Sequence, residues 1–80
     1  MFSPQEKRIL CVFFDHRDMA LSYRDIASSL NKAPTTIKNQ IHQILLKADI
    51  LEKHTDTGMT NRFRLKDGVR IEKYLTSRTD

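Results

Sequence analysis

Ser22-Tyr-Arg-Asp-Ile-Ala-Ser-Ser-Leu30, then Asn31-Lys-Ala33, then Pro34-Thr-Thr-Ile-Lys-Asn-Gln-Ile-His-Gln-Ile-Leu-Leu-Lys47 is the stretch whose reading decides the fold. The first segment predicts an amphipathic helix with Ile26, Ala27 and Leu30 facing inward, opened by Ser22 as cap with Asp25 three residues on. The second is a tight break. The third predicts a longer helix in which Ile37, Ile41, Ile44, Leu45 and Ala48 share one face at 100° per residue. Its opposite face carries Thr35, Asn39, His42, Gln43 and Leu46, flanked by Thr36, Lys38 and Gln40. No acidic residue interrupts that face before Asp49. A solvated polar face usually mixes Glu with Lys, whereas a helix laid against phosphates must exclude carboxylates, and Asn and Gln can pair with adenine edges.

After Asp49 the period changes from 3.6 to 2. Ile50-Leu-Glu-Lys-His54 predicts one strand and Arg62-Phe-Arg-Leu-Lys66 a second, joined by the polar loop Thr55-Asp-Thr-Gly-Met-Thr-Asn61. Phe63 and Leu65 are expected on the core side, with Arg62, Arg64 and Lys66 outward. Upstream, Ser3-Pro4-Gln5-Glu6 predicts a capped helix start, and Ile9, Leu10, Phe13 and Phe14 its buried stripe to about Asp15. His16-Arg-Asp-Met19 is a polar connector, and Ala20-Leu21 a short strand contact. Downstream, Asp67 is placed to cap a last helix whose buried side is Ile71, Tyr74 and Leu75.

The charge is localised. Residues 1–31 hold four basic and four acidic side chains, and residues 67–80 three of each. Residues 32–66 hold seven basic (Lys32, Lys38, Lys47, Lys53, Arg62, Arg64, Lys66) against three acidic, so the whole formal excess of +4 belongs to the third helix and hairpin. A basic excess on such a segment suggests a polyanionic partner rather than mere solubility.

Eighty residues allow one domain with a small core. No apolar run approaches the ~20 residues that span a bilayer, and no secretory signal opens the chain. A single cysteine, Cys11, excludes an internal disulfide, so the cytoplasm, at the nucleoid, is the expected compartment. His42 and His54 have no paired ligand three or four residues away, and Asp15, His16 and Asp18 form only a loop cluster, so no metal is expected. Cys11 reads as a small, partly buried apolar residue, with a redox thiol as the sharper alternative. No Gly-rich phosphate loop, serine elbow or carboxylate pair is present. Neither catalysis nor a cofactor is expected.

The element order helix, short strand, helix, turn, helix, hairpin, helix resembles the winged helix-turn-helix domains of bacterial and archaeal transcription regulators of the MarR and Lrp kind, over nearly the whole chain. Leu21 to Leu30 is similar to the first helix of that motif, Pro34-Thr-Thr-Ile37 to the start of its recognition helix, and Leu45 to Glu52 to the entry of its wing. Asp49 stands where glycine is usual, and Ala33 where a Ser or Thr cap is usual, leaving a ragged start or a cap from Thr35. Ser3 to Leu10 with Thr36 to Asn39 and Ile44-Leu45 also looks like the LuxR type, but the wing and the longer connector favour the winged form.

The expected architecture is α+β and mostly α: helices about 4–15, 23–30, 34–48 and 69–76, wing strands about 50–54 and 62–66, in one domain over 1–80. The resemblance implies sequence-specific binding of double-stranded DNA, with the third helix in the major groove and the wing on the backbone or minor groove. Thr35, Thr36, Asn39, His42 and Gln43 are the expected base contacts. Lys38, Lys47, Lys53, Arg62, Arg64 and Lys66 are the expected backbone contacts, which position without reading sequence. A homodimer is expected from spare apolar residues, and no membrane partner; nothing names an operator or a small-molecule effector. Two alternatives stand beside this: a protein-docking module, for which the apolar Val12, Leu46 and Met59 argue, and the output domain of a longer regulator.

Overall fold

A computed structural model describes residues 2–55, 58 and 60–70. Helix α1 spans Pro4–Asp15, strand β1 Leu21–Ser22, helix α2 Tyr23–Leu30, helix α3 Pro34–Lys47, strand β2 Leu51–Thr55 and strand β3 Asn61–Leu65. The fourth helix expected over 69–76 lies, from residue 71 on, outside the described residues, as does Met59.

Local chemistry explains each boundary. At α1, Ser3 Oγ accepts from the Glu6 amide at 3.1 Å while Glu6 Oε1 accepts from the Ser3 amide at 2.8 Å, so two orphan donors are satisfied reciprocally. Ser22 and Asp25 repeat the device at α2, with distances of 3.1 and 3.0 Å. Asn31 ends α2 in the left-handed region (φ 56°, ψ 49°), one of few side chains that tolerate it, and this turns the chain within three residues. Ala33 has the extended backbone of a cap residue but no side chain to cap with, and Thr35 does not substitute for it.

The sheet is antiparallel in the order β1-β3-β2. Leu21 faces Phe63 and Ser22 faces Arg62 across one edge, while Lys53 faces Phe63 and His54 faces Arg62 across the other. The expected strand at Ala20-Leu21 is displaced by one residue, because pairing to β3 and the α2 cap both use Ser22.

The core joins all these elements. Ile9, Leu10, Phe13, Ile26, Ile37, Ile41 and Ile44 are fully buried, with Phe2, Leu21, Ala27, Ile50, Leu51, Phe63 and Leu65 nearly so. Each of these side chains larger than alanine contributes about 1.5–3 kcal/mol by leaving water. Three sequence expectations need correction. Leu45 is 38% exposed, since the Ile37–Ile41–Ile44 stripe already fills the contact and Leu45 falls at its rim. Phe14 and Leu30 only flank the core. Cys11 is exposed rather than partly buried. Among the described residues no helix is long and apolar enough to cross a membrane.

Candidate nucleic-acid interface

Helix α3 presents one continuous outer face. Thr35, Thr36, Lys38, Asn39, His42 and Gln43 are all exposed, and no carboxylate lies among them. The absence of a cap at Ala33 leaves the first amide donors of α3 without an intrahelical acceptor, open to an anionic oxygen. An open cleft of about 550 Å³ connects this helix start to the hairpin. It is lined by Ser22 to Asp25, Pro34 and Thr60 to Arg62, so the starts of α2 and α3 and the loop end of the hairpin form one surface.

Two aromatic contacts tie that surface together. The Tyr23 ring packs against Phe63 at 5.6 Å between centroids, tilted by 36°. On the other side it meets His42 edge-on at 6.4 Å and 83°, with the hydroxyl 3.5 Å from Nε2. Burial pushes the Tyr23 phenol pKa up, so the hydroxyl keeps its proton. Sequence reading gave Tyr23 no role, because its partners lie nineteen residues or more along the chain.

The expected backbone contacts divide into two groups. Lys38 and Lys53 are exposed and form no ion pair among the described residues. The other four are paired. Arg62 Nη1 donates to Asp25 Oδ2 at 3.2 Å, Arg64 Nη2 to Asp67 Oδ1 at 2.8 Å, and Lys66 Nζ to Asp49 Oδ1 at 2.5 Å. Each of these pairs has at least one solvated partner and is worth about 0–1 kcal/mol, so a phosphate can compete for the cation.

Lys47 differs. Its Nζ donates at 2.7 Å to Glu6 Oε1, whose side chain is only 6% exposed, and it lies 5.9 Å above the Phe2 ring. Burial raises the Glu6 carboxyl pKa, but the hydrogen bonds from Lys47 and Ser3 and the Lys47 charge outweigh it and hold the group below its ordinary range. Lys47 therefore fastens the end of α3 to the start of α1. The basic excess counted over 32–66 is reduced by carboxylates that the fold imports from outside that window, namely Glu6, Asp25 and Asp67. Arg24, which sequence reading passed over, is exposed and borders the cleft.

Among the described residues, three helices and an antiparallel hairpin, to which β1 adds a third strand, make a winged helix-turn-helix fold. The structural neighbours are of that kind. MepR, a transcription regulator of the Staphylococcus aureus multidrug efflux pump MepA, superposes with a TM-score of 0.80 at 19% identity. That alignment covers 95% of this chain and 56% of the MepR chain. The S. aureus MepR–DNA complex gives 0.78 at 19% identity, covering 95% and 63%. A MepR mutant bound to an oligodeoxyribonucleotide gives 0.78 at 19%, covering 94% and 56%. At this identity the likeness is one of fold, and the chain spans a little over half the length of these proteins. No family model and no curated protein matches the chain in sequence.

Proposed function

We propose that this chain binds double-stranded DNA sequence-specifically as a transcription regulator of the MarR or Lrp kind. Helix α3 enters the major groove, and the β2–β3 hairpin lies along the adjacent backbone or minor groove. The observation that carries the proposal is the exposed, carboxylate-free face of α3 standing beside the hairpin across one cleft. A winged-helix neighbour solved with DNA supports the reading.

Thr35, Thr36, Asn39, His42 and Gln43 are assigned to base edges, and Lys38, Lys53, Arg62, Arg64 and Lys66 to phosphates. Lys47 is a secondary phosphate contact, because reaching one means releasing Glu6. Binding as a homodimer, in the cytoplasm, completes the proposal. One such domain buries only a modest area on a duplex, and a second copy would double it.

Gel-shift titration tests this. Affinity for random duplex should fall steeply between low and moderate salt, by about −0.9 in the log–log slope per phosphate contacted. Asn39→Ala or Gln43→Ala should relax preference at particular base pairs by about 1–3 kcal/mol where the contact is bidentate. Equal losses from Asn39→Ala on a selected and a random duplex would remove Asn39 from the reading role. A flat salt response would favour a docking module instead. Leu46, 81% exposed on the same face as Asn39, is the observation on that side.

A further inference from the structure

Among the five residues assigned to base edges, His42 alone has a side-chain partner among the described residues. Thr35, Thr36, Asn39 and Gln43 extend from α3 with nothing to fix their rotamers, and ordering them on a ligand costs entropy. His42 is held at both levels that matter for reading. Its ring plane is set edge-on against Tyr23, and Nε2 faces the Tyr23 hydroxyl. Tyr23 is itself fixed, as the first residue of a doubly capped helix with its ring against the buried Phe63 of the hairpin.

The Tyr23 hydroxyl lies 3.5 Å from Nε2, and the chemistry of the two groups favours one tautomer. A phenol is a good donor and a poor acceptor, because its oxygen lone pair is drawn into the ring. A neutral imidazole nitrogen is a strong acceptor. The favoured arrangement has the Tyr23 hydroxyl donating to Nε2, which places the single ring proton of His42 on Nδ1. Nδ1 has no partner within the described residues. A hydrogen bond made by one ring nitrogen thus settles the role of the other, and a neutral histidine with Nδ1–H reads acceptors.

We infer that Tyr23 is a specificity-determining positioning residue: through the Phe63–Tyr23–His42 stack it fixes His42 as a hydrogen-bond donor aimed at an acceptor edge of a base. Guanine, which presents two acceptors (N7 and O6) where adenine and thymine present one each, is the edge taken as its target. The inference deepens the DNA-binding proposal and rests on it for its ligand, but the tautomer itself is a property of the free protein. The stack also connects hairpin to recognition helix, so the wing takes part in reading without touching the base.

The test has two arms on the full 80-residue chain and its Tyr23→Phe variant, which keeps the ring and removes only the hydroxyl. In the free protein, long-range 15N–1H correlation should show Nδ1–H for the neutral form of His42. In Tyr23→Phe the balance should move toward Nε2–H. Finding Nε2–H in the unaltered chain overturns the inference whatever the protein binds.

In the second arm, a duplex selected from a random pool is compared with single-base variants. Tyr23→Phe should lose preference at one guanine-bearing pair by about three- to tenfold, the worth of one hydrogen bond. Any loss of affinity for random duplex should be smaller than the loss at that pair. His42→Ala should lose preference at the same pair, and the double variant no more than either alone. A uniform loss on all duplexes, or losses at two different pairs, overturns the positioning role. If the unaltered chain shows no salt-dependent duplex binding, the DNA-binding proposal falls and this reading of the histidine's ligand falls with it, while the tautomer arm still reports separately.

Discussion

Glu6 shows how much one residue does here that its neighbours in sequence do not reveal. Its place in a capping box is legible from Ser3 and the three-residue spacing. Its burial, and its pairing with Lys47 forty-one residues away, are tertiary facts with no local signature. Glu6→Gln keeps the shape and removes the charge, and should cost about 1–3 kcal/mol, the range for a charge-assisted hydrogen bond that leaves a partner behind. The pH dependence has a definite sign. The folded carboxyl titrates below the ordinary value of 4.5, so its stabilisation is complete above that value and is lost as pH falls through the folded pKa. Urea unfolding from pH 7 downward should show the unaltered chain losing stability below about 4.5, with Glu6→Gln less sensitive over the same window. Parallel curves would mean that the pair is not formed.

At the scale of elements, boundaries were the legible part. Serine caps, Pro34, the switch from a 3.6 to a 2.0 period and the Phe63/Leu65 alternation all place helices and strands within a residue or two of where they lie. What stayed hidden was how elements meet: Leu45 at the rim of the α3 contact, Phe2 in the core, and Tyr23 between hairpin and helix. Periodicity reports which face is apolar, but not which neighbour covers it. The uncapped start of α3 gives a prediction that separates stability from binding. Ala33 already has cap geometry, so Ala33→Ser should stabilise the fold by about 0.5–2 kcal/mol, read in thermal or urea unfolding. Ala33→Asp should stabilise similarly yet weaken duplex binding, because the new carboxylate faces the phosphates. If Ala33→Asp leaves DNA affinity unchanged, the start of α3 is not at the interface. Leu46→Gln, at the far end of the same helix, should alter neither stability nor duplex affinity, since an 81% exposed side chain gives up little on losing its apolar surface.

For the whole molecule, charge counted along the sequence and charge arranged in space differ. The count located the basic segment correctly, but four of its seven cations meet carboxylates, three of which lie outside that segment. Lys38 and Lys53 form no such pair among the described residues and occupy α3 and the hairpin respectively. Replacing both with alanine should weaken binding to every duplex alike and flatten the salt slope by about 1.8, two phosphates' worth, without unfolding the chain. The paired cations make a less clean experiment, because Arg62→Ala also frees Asp25 beside the α2 cap.

The most direct measurement is an NMR titration of the 15N-labelled chain with a short duplex at low salt. The account predicts that shifts concentrate at Thr35 to Gln43 on α3, at Tyr23 and Arg24, and along the hairpin from Lys53 to Lys66. Changes confined to Leu45, Leu46, Met19 and the start of α1, with the face around Asn39 silent, would contradict it.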